Sequence, residues 1–312
     1  MGAPTAELAT GIAAEATGRH PVSASRFTTG ARHYVFDVTF ADRPPVVVRI
    51  GSRSARAEMA GAVRLSGLLR PLGVPLPAIL AQDPGAELPW LVLERLPGTD
   101  LGAVIADLGA GQLERIAAGV ANAQAITART PSTGRYGYAA QPEQAPHSTW
   151  SQVLAANLER SRRRIASARL FDATVVDVVQ ATLMARRGQI DGIAPIPFLH
   201  DTTTRNVIVA PNGEFSGIVD VDDLCFGDPR YPAALTLAVL LGQGGPIDYV
   251  WAWLRHAGQS DDPTFRLYVS IFLLDLMAEH GQAFNGNERP SVPQPRASLL
   301  RAFRDSLRLA TA

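Results

Sequence analysis

The stretch "FLHDTTTRNVIVAPNGEFSGIVDVDD", residues 198–223, decides how the rest of the chain is read. Its segment 206–221 is β-like, and Asn212–Gly213 stands between two apolar runs, a strong hairpin signal. Asp201 lies just before this hairpin, Asn206 enters it, and Asp220 closes it. Alone, Asp201 and Asn206 are an acid and an amide across a polar loop. A hairpin with Asp220 at its far end gives the three a common place in the fold.

Working outward, the chain on both sides of this island has helical spacing. Helices are expected over 101–108, 111–129, 149–166 and 171–187 before it, and over 230–242, 246–257, 264–282 and 294–310 after it. The first hundred residues differ. After a helical segment at 5–17, "RHYVFDVTF" (32–40) and "PPVVVRI" (44–50) are rich in β-branched and aromatic residues, and 22–28 reads as a preceding strand. Residues 53–70 return to helical spacing and stop at Pro71 and Gly73. "PLPAILAQD" (75–83) and "PWLVLERL" (89–96) complete a five-strand antiparallel set, and "PGTD" (97–100) breaks the pattern. The expected fold is therefore α+β in two lobes: 1–96 built on a sheet with one inserted helix, and 97–312 mostly helical around one hairpin.

Composition removes several chemistries. The 29 basic residues are all arginine, so a GxxxxGK phosphate loop, a lysine Schiff base and an SxxK nucleophile are excluded. Formal net charge is zero, which argues against a nucleic-acid partner held by bulk phosphate attraction. Cys225 is the single cysteine and reads as a buried small hydrophobe; six scattered histidines make no metal-ligand spacing. The longest apolar run, "AALTLAVLL" (233–241), is far short of the roughly 20 residues a membrane span needs. With no signal-like start, the expectation is a cytoplasmic protein without a membrane partner.

Phosphoryl transfer from a nucleotide to a hydroxyl needs a cation on the phosphates and an acid that holds that cation. It also needs hard oxygen ligands for Mg²⁺ and a carboxylate that orients the attacking hydroxyl. Arg49 at the end of a strand, Glu58 on the next helix, Asp201, Asn206 and Asp220 supply those residue types.

Five pieces, in order, resemble the aminoglycoside phosphotransferase family, whose members have a protein-kinase-like fold. They are "VVVRI" (46–50), "LVLERLPGTDL" (91–101), "TWSQVLAANLERSRRRI" (149–165), "HDTTTRNVIV" (200–209) and "GIVDVDDLCFGDPRYPAA" (217–234). The resemblance implies Asp201 as catalytic base, with Asn206 and Asp220 as Mg²⁺ ligands. It implies Arg49 as the phosphate-binding cation, Glu58 as the candidate acid paired with it, and backbone groups of Glu94, Arg95 and Leu96 as the purine contact. Thr29 and Gly30 would belong to a lid over the phosphates, and Asp228 would be structural, accepting from the catalytic-loop backbone. Asp222 and Asp223 read as loop polar groups, Asp222 within reach of a second metal. Asp275 and Glu279, four apart on one helix, and Trp150 are candidates for the acceptor site.

The implied activity is that of a small-molecule kinase using ATP or GTP, with an antibiotic hydroxyl as acceptor: aminoglycoside, macrolide, nucleoside or peptide. The alternatives are a kinase of a housekeeping metabolite such as a sugar, amino alcohol or homoserine, and a nucleotide-binding pseudokinase. The chain departs from the family pattern at Leu199, where a histidine is usual, at Arg49, where a lysine is usual, and in Thr202–Thr203–Thr204.

Overall fold

The computed structural model describes residues 3–27, 33–282 and 290–312. It opens on helix α1 (Ala6–Thr17), capped by Thr5, whose hydroxyl accepts the Leu8 N–H at 3.3 Å. Strands β1 (Ser23–Arg26), β2 (Tyr34–Thr39), β3 (Val46–Ile50), β4 (Ile79–Asp83) and β5 (Trp90–Glu94) form one sheet in the order β1-β2-β3-β5-β4. Every pairing in it is antiparallel, and helix α2 (Arg56–Leu69) is inserted between β3 and β4. This is the expected five-strand sheet with one helix.

The two-residue period of β3 sets the site. Val46, Val48 and Ile50 join Phe36, Val38 and Val92 under α1 residues Ala9, Ile12 and Ala13. Arg49 falls in the alternate set, paired across the sheet with Leu91, which packs against Met59 and Ala62 of α2. One strand thus buries valine against one helix and turns an arginine toward the other.

The second body is helical: α3 (Leu101–Val104), α4 (Ala110–Thr127), α5 (Trp150–Ala168), α6 (Val175–Ala185), α7 (Arg187–Asp191), α8 (Tyr231–Gln243), α9 (Asp248–His256), α10 (Pro263–Glu279) and α11 (Pro293–Thr311). Helix α10 is buried on nearly every side, and α5, α8 and α11 pack around it. Asp262 starts it by accepting the Phe265 N–H at 2.8 Å, with Pro263 in the first turn. None of the described helices is long and apolar enough to cross a membrane.

The expected hairpin is present as β9 (Val207–Val209) and β10 (Phe215–Ile218). Asn212 shapes its turn by accepting the Glu214 N–H at 3.1 Å, and Gly213 takes φ +80°. Two features differ from the expected map. Residues 97–100 do not only break the sheet: β6 (Thr99–Asp100) pairs with β9 and makes the hairpin three-stranded. A further sheet of β7 (Gly137–Ala139), β11 (Leu224–Gly227) and β8 (Ile196–Phe198), in the order β7-β11-β8, lies within the region read as helical. Strands of three or four residues are too short to show a period, and Pro197 argues against a strand except at an edge, where β8 stands.

The two bodies are joined closely. The Ile218 N–H donates to the Pro75 carbonyl at 2.9 Å. At Gly98, φ is +107° and a Cβ would lie 1.8 Å from the Val209 carbonyl oxygen, so only glycine fits where the chain leaves the first lobe.

Candidate active site

The loop from Leu199 to Asn206 is fixed at both ends. Gln124, buried on α4, accepts the Leu199 N–H at 2.9 Å and donates to the Leu199 carbonyl and the Thr202 hydroxyl, each at 2.9 Å. Thr202 donates onward to the Leu199 carbonyl at 2.9 Å, and its own carbonyl accepts the Thr236 hydroxyl at 3.1 Å. The Thr203 hydroxyl donates to Asp201 Oδ1 at 3.2 Å, and the Thr204 carbonyl accepts the Gly102 N–H at 2.9 Å. The three threonines therefore have a physical role. They are buried beside the exposed Asp201: the Thr202 hydroxyl satisfies the Leu199 carbonyl, the Thr203 hydroxyl meets the Asp201 carboxylate, and Thr204 takes part through its carbonyl.

Asn206 is bonded to the backbone of Asp201 and to that of Val219, next to Asp220. Its Nδ2 donates to the Asp201 carbonyl at 2.8 Å, and its own carbonyl accepts the Val219 N–H at 2.9 Å, one residue before Asp220. That leaves Asn206 Oδ1 without a donor among the described residues. Asp220 takes φ +65°, one of two non-glycine residues with positive φ among the described ones, and its side chain is half exposed. An acid held in left-handed backbone conformation is strain of the sort that collects at functional sites.

Arg49 reaches this place from the sheet. It is 4% exposed. Its Nη2 lies 3.0 Å from Asp220 Oδ1 and closer still to Asp222 Oδ2. Burial opposes its charge, but Asp220, Asp222 and Glu58 outweigh burial and hold the guanidinium above its ordinary value. Asp222 is not a solvated loop residue. His33 Nε2 lies 3.3 Å from the same Oδ2. Burial would raise the Asp222 carboxyl, yet the His33 hydrogen bond and Arg49 bring it down to about 2.

Glu58 is not the direct partner of Arg49. Its carboxylate lies 3.6 Å from His33 Nε2 and acts on Arg49 only through its charge. His33, Glu58 and Asp222 place one potential ligand atom each within 4.8 Å of one another. Because the buried Arg49 guanidinium already occupies Asp222, this trio is poorly disposed to a further cation. No sequence spacing gives away His33, which meets Asp222 across 189 positions.

The strand-exit residues stand where the chain crosses between lobes. The Glu94 N–H donates to the Ala78 carbonyl at 2.8 Å, and Arg95 Nη1 donates to the Leu96 carbonyl at 2.7 Å. Thr29 and Gly30 lie outside the described residues. Asp228 differs from the expectation: its carboxylate accepts from the Arg230 guanidinium, the Arg230 N–H and the Tyr268 hydroxyl at 2.7–3.1 Å. It ties the end of β11 to α10 rather than to the catalytic loop.

Of the acceptor candidates, Trp150 is a core residue. It is fully buried, its indole N–H donates to Tyr268 at 3.0 Å, and it has no surface to offer a ligand. Asp275 is largely buried, bonded to the Ser161 hydroxyl and paired with Arg160 at 2.9 Å. Glu279 pairs with Arg164 at 3.6 Å. Burial raises both carboxyls, and for Glu279 the neighbouring charges of Asp275 and Asp201 add to it. Those charges place Glu279 in the field of Asp201. Beside it, the Tyr138 ring meets His200 edge-on, centroids 4.6 Å apart.

With this geometry in hand, the comparisons decide the family. Residues 23–268 match the signature of the phosphotransferase enzyme family. The chain belongs to that family. Among curated proteins, none matches it by sequence. Solved structures do. The GDP and kanamycin complex of APH(2")-IIia aligns with TM-score 0.66 and 17% identity, over 97% of this chain and 96% of that one. A thermostable mutant of aminoglycoside phosphotransferase APH(4)-Ia, in a ternary complex with ADP and hygromycin B, aligns with TM-score 0.64 and 16% identity, over 97% and 99%. A putative fructosamine-3-kinase from Thermobifida fusca aligns with TM-score 0.63 and 20% identity, over 96% and 98%. At such identities the likeness speaks for the fold: this phosphotransferase has the α+β bilobal, protein-kinase-like architecture.

Proposed function

We propose that the chain is an O-phosphotransferase that moves the γ-phosphate of ATP or GTP to a hydroxyl of a small molecule. The lobe over residues 1–96 would hold the nucleotide, and 97–312 would supply catalysis and the acceptor site. The observation that carries this reading is the bonding of Asn206 to the Asp201 carbonyl and to the residue before Asp220, which gathers acid, amide and acid at the base of one hairpin.

The residues suit the groups this chemistry requires. Asp220 and Asn206 Oδ1 are the hard oxygen donors that Mg²⁺ prefers, the first half exposed and the second without a protein donor among the described residues. Mg²⁺, when bound, neutralises charge on the donor phosphates. Arg49 brings a fixed positive charge to the same place, and the base would meet the backbone groups of the Glu94–Leu96 exit other than the Glu94 N–H and the Leu96 carbonyl, which Ala78 and Arg95 take. Asp201 is exposed at the loop's outer face, with Thr203 on one oxygen. It is suited to accept a hydrogen bond from the acceptor hydroxyl, align it, and take its proton as the new P–O bond forms.

An antibiotic acceptor, with resistance as the outcome, is supported by the aminoglycoside complexes among the similar structures. One observation favours the second reading, a sugar-like or other metabolite. Asp275 and Glu279 are each matched by an arginine of α5, so they present no surplus negative charge to a polyamine. A panel of aminoglycosides, macrolides, nucleosides and ketosamine sugars, offered with Mg–ATP and Mg–GTP, tests the reading. One product heavier by a phosphoryl group supports it. Nucleotide binding without transfer to any hydroxyl compound would favour the pseudokinase.

A further inference from the structure

This inference rests on the reading of Arg49 as the cation that meets the donor phosphates. In a kinase-like site that cation needs an acid to hold it, and the helix after its strand is the expected source. Here the helix acid, Glu58, makes no ion pair with Arg49; its side chain is 40% exposed and stands 3.6 Å from His33. The acid on Arg49 comes instead from the other lobe.

Asp222 has the properties of a holder. It is mostly buried, and Arg49 and His33 both lie against its Oδ2. The backbone around it is packed with little slack. A Cβ at Gly61 of α2 would come within 2.5 Å of the Asp222 carbonyl oxygen, so the first-lobe helix rests directly on this residue. Two buried atoms are unused. Among the described residues, Asp222 Oδ1 accepts no hydrogen bond and Arg49 Nε donates none. Between them the pair has the groups for a two-bond fork, the strongest arginine–carboxylate geometry, and makes half of it. Meanwhile Arg49 spends part of its charge on Asp220 at 3.0 Å.

We propose that Asp222 is the positioning residue for Arg49, and that it keeps this arginine from neutralising Asp220. When the Asp220 carboxylate turns to a metal, Asp222 retains the guanidinium and can complete the fork through Oδ1. Without Asp222, the full charge of a buried arginine falls on Asp220, the oxygen donor the metal needs. Glu58 contributes only background field.

The test compares Asp222→Asn, Asp222→Glu and Glu58→Gln in the full chain. Calorimetry reads Mg–ADP and Mg–GDP binding, and an Mg²⁺ titration at fixed nucleotide reads the metal midpoint. D222N is expected to weaken Mg–nucleotide binding and raise the Mg²⁺ midpoint by about ten- to a hundred-fold, the value of a charge-assisted hydrogen bond. D222E, which keeps the charge, should recover part of both, and E58Q should move either by about threefold at most. A merely structural role would lower the melting temperature without moving the Mg²⁺ midpoint of the folded protein. Unchanged midpoints in D222N, or an equal shift in E58Q, would overturn the proposal. If D222N does not fold, Asp222→Ser replaces it: a midpoint raised tenfold or more supports the proposal, and an unchanged midpoint refutes it. A wild-type chain that binds Mg–nucleotide yet phosphorylates nothing would defeat the transferase reading alone. A wild-type chain that binds none would defeat both.

Discussion

Gln124 grips Leu199 by both its backbone groups, accepting the N–H and donating to the carbonyl at 2.9 Å each. The same amide nitrogen reaches Thr202, so one buried side chain spans the residues on either side of His200 and Asp201. Leu199 departs from the histidine that the family resemblance leads one to expect there. In this chain that position is buried, and an amide from α4 does the anchoring.

Gln124→Leu would therefore leave the buried Leu199 N–H without its acceptor, while the Leu199 carbonyl keeps the Thr202 hydroxyl, and would loosen the loop. We expect a loss of about 1–3 kcal/mol in stability by urea unfolding, the cost of one orphaned buried group. Turnover should fall even at temperatures where the variant is folded, because the orientation of Asp201 depends on its neighbours. Unchanged turnover with lowered stability would separate the anchor from catalysis.

Asp228→Asn should be among the most damaging substitutions outside the site. Its carboxylate is buried under Arg230 and Tyr268, and Arg230 also bonds Asp262, the cap of α10, at 2.6 Å. Asp228→Asn leaves Arg230 with Asp262 as its remaining acid, so the cost should fall somewhat short of the about 3–5 kcal/mol of a fully broken buried pair. Denaturant unfolding should show this, and a loss under about 1 kcal/mol would contradict it.

Asp222 predicts a specific acid response. Its folded pKa, about 2, lies below the ordinary 3.8, so the folded state binds that proton less readily than the unfolded chain. The resulting stability, on the order of 2 kcal/mol, is fully present above the ordinary value and is lost as pH falls through the window down to about 2. Unfolding free energies of wild type and Asp222→Asn, measured from pH 5 to about pH 2, should converge as the pH drops. Parallel curves would show that Asp222 carries no such shift.

Much of this architecture is legible in the sequence. The sheet, its inserted helix and the Asn212–Gly213 hairpin follow from periods and turn residues that act over neighbouring positions. The strands β6, β7, β8 and β11 were not legible, because two to four residues cannot display a period and their pairing is set by distant partners. The site divides in the same way. Asp201, Asn206 and Asp220 sit within one local unit, and the structure brings them together through short backbone bonds. Arg49 and Asp222 are 173 positions apart, and His33 and Asp222 are 189 apart, so only the closed fold reveals them as partners. Trp150, a candidate for the acceptor site from sequence, lies in the core, because an aromatic ring in a helical lobe serves a core equally well. The threonine run had no account as sequence; as structure it is a set of hydroxyls and carbonyls that Gln124, Thr236 and Gly102 complete.

The central claim is that Asp201 orients and deprotonates an acceptor hydroxyl beside a nucleotide held by Arg49, Asn206 and Asp220. Single-turnover phosphorylation of the best acceptor by Asp201→Asn, set beside Mg–nucleotide binding by the same variant, tests it most directly. The account predicts a rate lower by about 10²–10⁴-fold with nucleotide affinity within about twofold of wild type. A rate near that of wild type, or loss of nucleotide binding in step with the rate, would contradict it.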